Sequence, residues 1–199
     1  AYMVRIFDSA DQQKYEAAYS AFQTQTLPLG TYYVTAENCS EAQAEEGYGK
    51  MRLYGRSADV TLAPEALVQT ATVNCTVANA KVSVQFDESV EGRFTGLQVA
   101  LSGGTVRTAP VVIAQTATDV VTETWFNPSE LTYTISGTFT AGGINKSVEI
   151  SKTVDLQAKS NIKLVVKVNL ENGQLVPNVT FDTQIDDPTE VPGEFNPYM

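Results

Sequence analysis

The stretch Lys81-Val82-Ser83-Val84-Gln85-Phe86 decides how this chain is read. Val82, Val84 and Phe86 form one row, and Lys81, Ser83 and Gln85 the other. Successive side chains of a β-strand point to opposite faces, so a period of two describes a strand with one dry face and one wet face. The rhythm extends outward from near Thr72 to Phe181. Leu131, Tyr133, Ile135 and Phe139 alternate with Thr132, Thr134, Ser136 and Thr138, while Ile162, Leu164, Val166, Val168 and Leu170 alternate mostly with polar partners. Sheets of this kind are usually antiparallel and stacked in pairs.

Toward the N-terminus, residues 2–7 read as a strand. In 11–22, Tyr15, Ala18, Tyr19 and Phe22 are spaced three or four apart, which fits a short helix capped by Ser9 or Asp11, or an irregular loop whose tyrosines lie on a sheet. Thr26-Leu27-Pro28-Leu29-Gly30 is a turn leading into a β-branched and aromatic strand over 31–37. Residues 40–50 are acidic, alanine-rich and glycine-broken, as in an exposed loop or a helical turn. Two short strands, 51–54 and 58–62, flank Gly55 as a hairpin candidate. Strands follow at 71–77 and 81–86, with Cys75 in phase with Val73 and Val77 and directed at the core, and then at 93–101 and 111–114. Gly103-Gly104 is a turn between strands. Val120, Val121, Trp125 and Phe126 fall in a less regular stretch. The pairs 131–140 with 146–156 and 162–170 with 176–181 read as hairpins, the second closed by Asn172-Gly173, the strongest turn dipeptide in the chain. The expected architecture is all-β, with two consecutive antiparallel β-sandwich units at 1–79 and 80–185. A single larger sandwich is the alternative, because 71–77 can pair with either half. Residues 186–199 read as an acidic, proline-rich linker or tail.

Composition narrows the chemistry. The 199 residues carry 13 basic and 23 acidic side chains, a formal charge of -10. Such a chain repels nucleic-acid phosphates and anionic lipid headgroups. No apolar run reaches the roughly 18 residues that cross a bilayer. There is no histidine, which removes the commonest general base and transition-metal ligand. Cys39 and Cys75 are too few for a disulfide scaffold or a four-cysteine zinc site; they either bridge or remain thiols. Neither has a histidine to activate it.

Glu45, Glu46, Asp87, Glu88 and Asp119 lie in or beside loops and read as solvated surface charge. Asp182, Asp186 and Asp187 lack the glycine turn of a calcium loop. No catalytic residue, metal ligand or cofactor is expected. Tyr48, Tyr54, Trp125 and Tyr198 stand outside the strand alternation. The first three are the candidate ligand-contact aromatics, since flat exposed rings make sugar platforms. The Asn-X-Ser/Thr triplets at Asn38, Asn74, Asn145 and Asn178 read as accidental.

Three segments carry a family likeness. Residues 27–36, Leu27-Pro28-Leu29-Gly30-Thr31-Tyr32-Tyr33-Val34-Thr35-Ala36, resemble the strand entry of transthyretin-like sandwich domains. Residues 73–86, Val73-Asn74-Cys75-Thr76-Val77-Ala78-Asn79-Ala80-Lys81-Val82-Ser83-Val84-Gln85-Phe86, resemble the join between sandwiches in fimbrillin-like (Mfa-like) surface lipoproteins of Bacteroidetes, in particular the branch known only as domains of unknown function. The hairpin over 131–156, followed by 162–170, is similar to the closing part of the second sandwich of that group. The resemblance implies a non-enzymatic, exported outer-membrane lipoprotein of fimbrial or adhesive role. Its anchor would be a lipidated cysteine upstream of Ala1, and its partners other surface or fimbrial subunits, or host or dietary glycans. The alternative it leaves is a glycan-binding accessory module of a surface polysaccharide system. Family pilins polymerise by strand addition; the acidic, proline-broken tail here is a poor donor strand.

Overall fold

The computed structural model describes residues 1–140, 145–169 and 174–182, with side chains up to 167. The turns at 141–143 and 171–174, the tail from 186, Asp186, Asp187 and Tyr198 fall wholly or partly outside these residues, as do the side chains of Asn178 and Asp182. The fold is all-β and divides into two compact units. Among the described residues, one comprises Ala1–Ser40 and Arg52–Val77; the other comprises Glu41–Met51 and the chain from Ala78 to Asp182.

The first unit is built on one sheet of six strands: β1 (Met3–Asp8), β2 (Gln13–Ala18), β3 (Gly30–Glu37), β4 (Leu53–Arg56), β5 (Val60–Leu62) and β6 (Thr76–Val77). Their order is β2-β1-β3-β4-β6, with β5 also on β3. Val4, Ile6, Tyr32, Ala36 and Val77 are buried. The helix-or-loop reading of 11–22 gives way to β2 and a single 3-10 turn at Tyr19–Ala21. β2 runs antiparallel along β1, from Met3 opposite Ala18 to Ile6 opposite Tyr15. A helix this short cannot repay its own nucleation, whereas a strand here completes the ladder of β1. Asp8 shapes the turn: its Oδ1 accepts the amides of Ala10 and Gln12 at 3.0 and 2.9 Å.

The hairpin expected around Gly55 is also corrected. β4 pairs with Thr35–Glu37 and β5 with Gly30–Tyr32, so both lie along β3. Gly55 sits inside β4, where a Cβ would strike the Asn74 carbonyl. It is a close-approach glycine, and the passing chain explains it. Of residues 71–77, only Thr76 and Val77 are strand. Cys75 is half-buried, with its thiol donating to the Ala36 carbonyl at 3.5 Å, and is not bridged to the buried Cys39.

The second unit is a two-sheet sandwich. Its strands are β7 (Ala80–Phe86), β8 (Phe94–Ser102), β9 (Val111–Ala114), β10 (Val121–Phe126), β11 (Glu130–Phe139), β12 (Lys146–Asp155), β13 (Asn161–Asn169) and β14 (Gln174–Asp182). One sheet has the order β10-β7-β13-β14 and the other β12-β11-β8-β9. The alternating rows read from the sequence meet in one core: Val82, Val84, Phe86, Ile162, Leu164 and Val166 with Val99, Leu101, Leu131 and Ile135. Most pairings are antiparallel, but β7 and β13 run parallel, Val82 beside Ile162 and Val84 beside Leu164. The long excursion between them through the other sheet supplies the crossover that parallel pairing needs. The less regular stretch at 120–126 is β10, paired with β7 over its whole length. Its alternation is hidden because the inward row includes Thr124, which is fully buried and donates its hydroxyl to the Val82 carbonyl at 3.1 Å.

Candidate functional site

Residues 41–51 leave β3 and return to β4, yet belong to the second unit. This strap begins with one helical turn, α1 (Glu41–Ala44), of which Ala44 is buried. It then turns back on itself through Gly47 and Gly49, at φ 62° and 80°. At Gly49 a Cβ would lie 2.6 Å from the Trp125 carbonyl oxygen, so neither a side chain nor ordinary φ is tolerated there.

Glu45 follows α1 and is only 5% exposed, so its reading as solvated surface charge is corrected. Oε1 accepts the amides of Thr105 at 3.1 Å and Asn127 at 2.8 Å. Oε2 accepts those of Val106 at 2.8 Å and Arg107 at 2.9 Å. Burial pushes the carboxyl pKa up, but the four amides outweigh it and hold the group below its ordinary value. Gly104 makes room for this carboxylate, since a Cβ there would run into it.

Arg107 completes the cluster. Its Nη1 donates to the Gly47 carbonyl at 2.5 Å, and its guanidinium lies 5.0 Å from the centre of the Phe126 ring. Burial lowers its pKa, opposed by the Glu45 charge. Arg107 Nε and Nη2 and Asn127 Oδ1 are buried with no partner among the described residues. Asn127 Nδ2 donates to the Glu41 carbonyl at 3.4 Å and to Thr105 Oγ1 at 3.0 Å.

An open depression of about 520 Å³ lies over this cluster, lined by Tyr48, Val106, Arg107, Pro110 and Val112 among others. Tyr48, Val106 and Val112 are 52%, 47% and 46% exposed, an apolar rim at the start of β9. Among the described residues β9 ends its sheet, and it carries no charge. The edge strands β2 and β12 differ: Lys14 and Glu16 mark the first, and Lys146, Glu149, Lys152 and Asp155 the second. Charges on an edge discourage pairing with another chain, so β9 is the less guarded of these edges.

Two of the three candidate aromatics meet here. The Trp125 amide donates to the Tyr48 carbonyl at 2.8 Å. Tyr48 is exposed and Trp125 half-buried. Tyr54 belongs to the first unit, half-buried with the Arg52 guanidinium 4.9 Å from its ring centre. It shares a sheet face with Glu37, which is held between Arg5 and Arg52. Burial raises the Glu37 pKa, but the two arginines more than offset this and depress it.

The remaining loop acids do local work or face solvent. Asp87 accepts the Ser89 amide at 2.9 Å, and Asp119 accepts the Gln85 amide group at 3.1 Å. Glu46 and Glu88 are exposed. Among the described residues, no group of three Cys, Asp or Glu side chains converges to hold a metal. In the sequence, the cluster's one trace is Gly103-Gly104, which also fits a plain turn.

No curated protein matches the chain. Among solved structures it is similar to the C-terminally truncated tip fimbrial protein Mfa3 of Porphyromonas gingivalis, at 12% identity over 90% of this chain and 93% of that chain, TM-score 0.47. It is also similar to a candidate cell adhesion protein of Bacteroides ovatus, at 9% identity over 93% and 88%, TM-score 0.46. A third, a candidate cell adhesion protein of Bacteroides fragilis, is 15% identical over 94% and 85%, TM-score 0.39. The model of one family, a domain of unknown function (DUF4493), matches residues 1–192, and the chain belongs to that family.

Proposed function

We propose that the protein is a non-enzymatic, surface-displayed adhesion or fimbria-associated subunit, exported and held at the outer membrane by a lipid anchor upstream of Ala1. It would engage other surface subunits through an open sheet edge. The single observation that carries this reading is β9, an uncharged edge strand beside the exposed Tyr48, Val106 and Val112. An unpaired edge offers a row of amides and carbonyls; an added strand satisfies them and buries alternate side chains against the rim. The resemblance of residues 27–36 and 73–86 to fimbrillin-like proteins points the same way.

Display of the full chain on a non-adherent bacterium tests the proposal. Displaying cells should aggregate or attach to a protein-coated surface, and Val112→Lys should abolish this at unchanged display level. Attachment unaffected by Val112→Lys, or absent from the parent chain, would sink it. A glycan-binding accessory role is the second reading, favoured by Tyr48, whose ring is exposed beside the depression. Binding on a glycan array that Tyr48→Ser removes would favour it over the first.

A further inference from the structure

We propose that Glu45 is a positioning residue for the rim of the depression: its carboxylate pins the connection between β8 and β9 to the strap, and so holds Val106 on the same rim as Tyr48. This rests on the reading of that rim as a docking surface and says what assembles it.

The rim is built from two distant pieces of chain. Tyr48 belongs to the strap, and Val106 to the connection over residues 103–110; both line the depression. Glu45 and Val106 are 61 residues apart in sequence. Val106 is 47% exposed, so burial does little to hold it. Its amide instead donates to Glu45 Oε2 at 2.8 Å, and the flanking amides of Thr105 and Arg107 reach the same carboxylate at 3.1 and 2.9 Å. Three successive amides on one charged acceptor fix the backbone on both sides of Val106. Two other ties of the connection lie before Val106: the Gly104 amide on Ser129 Oγ at 2.7 Å, and Thr105 Oγ1 accepting from Asn127 Nδ2 at 3.0 Å. After Arg107, the residues Thr108, Ala109 and Pro110 are exposed up to the start of β9. An exposed run of this kind stays in one place only where it is tied.

The strap does not depend on Glu45 in the same way. The Tyr48 carbonyl accepts the Trp125 amide at 2.8 Å, and the Lys50 carbonyl accepts Asn79 Nδ2 at 2.8 Å. Removing the Glu45 charge should therefore free the connection and leave the strap seated. A carboxylate accepts on both oxygens, whereas Glu45→Gln, or a protonated Glu45, accepts on one and presents a donor on the other. Whichever way the group is turned, two of the four amides then face a donor: Thr105 with Asn127, or Val106 with Arg107. Arg107 is the charged side chain of the connection and stays cationic at acid pH. Residues 127–129 and β9 carry no charge, and Glu41, Glu46 and Lys50 on the strap are exposed.

The test follows backbone amides of the full chain by NMR, in the parent and in Glu45→Gln. On acidification of the parent, the amide protons of Thr105, Val106, Arg107 and Asn127 should shift together, with one midpoint below the ordinary carboxylate range. Glu45→Gln should lack that step. At neutral pH its amides at Thr105, Val106 and Arg107 should exchange about tenfold faster or more, the scale of one charge-assisted hydrogen bond, with β7 and β11 unchanged. Cells displaying Glu45→Gln should attach less at unchanged display level. Separate midpoints or no shift in the parent would overturn the proposal, and this reading needs no variant to fold. Unchanged exchange in Glu45→Gln, or full attachment by a variant whose exchange has risen, would overturn it as well. A parent chain that never attaches sinks the docking reading, while titration and exchange still decide whether Glu45 holds the rim.

Discussion

At the scale of single residues, Glu45 and Gly104 act as a pair: the carboxylate occupies the space where another residue would keep its Cβ. Gly104 also sits at φ 92°. Gly104→Ala should therefore cost about 2 kcal/mol or more in urea unfolding, combining a left-handed backbone with a collision. Gly96→Ala is the control. Its φ is 65°, but nothing lies within 4 Å of its Cβ, so it should cost only about 1 kcal/mol. Equal losses would show that the close approach matters little.

Glu45 also gives a pH signature. Its pKa is lower folded than unfolded, so it stabilises the fold above the unfolded value, and that contribution fades as pH falls through the folded value. Glu37 is depressed as well and acts in the same direction. Stability should fall on acidification below the ordinary carboxylate range, and Glu45→Gln should flatten the slope without abolishing it. Identical slopes in both proteins would remove Glu45 from that effect.

Among the elements, the edges differ in how they are guarded. β2 and β12 carry lysines and acids, and β9 carries neither. Val112 is 46% exposed on β9, so Val112→Lys should change thermal stability by no more than about 0.5 kcal/mol while removing adhesion of displaying cells. A large stability loss would make Val112 a packing residue instead. β10 and β2 teach the converse. β10 was obscured because a threonine stands in its buried row and satisfies its hydroxyl on a neighbouring strand. β2 was obscured because four apolar residues at helical spacing say nothing of the ladder waiting beside them.

At the scale of the whole molecule, the strap assigns residues 41–51 to the second unit although they lie within the sequence of the first. We propose that the two units are separate folding domains. Ile135 is fully buried in the second, and Ile135→Ala should cost roughly 2–5 kcal/mol there. Hydrogen exchange should accelerate in β7 and β11, while β1 and β3 keep their protection. Matching acceleration in β1 and β3 would mean one cooperative fold. The sequence by itself determined the all-β class, the inward rows of β7, β11 and β13, and the lack of histidine, because a period of two and a composition are local properties. The tertiary structure alone decided the parallel pairing of β7 with β13, the positions of β4 and β5 on β3, and the burial of Glu45. Each depends on which distant backbone groups face one another, and an acid in an alanine-rich loop looks solvated until four amides some 60 to 80 residues away are found around it.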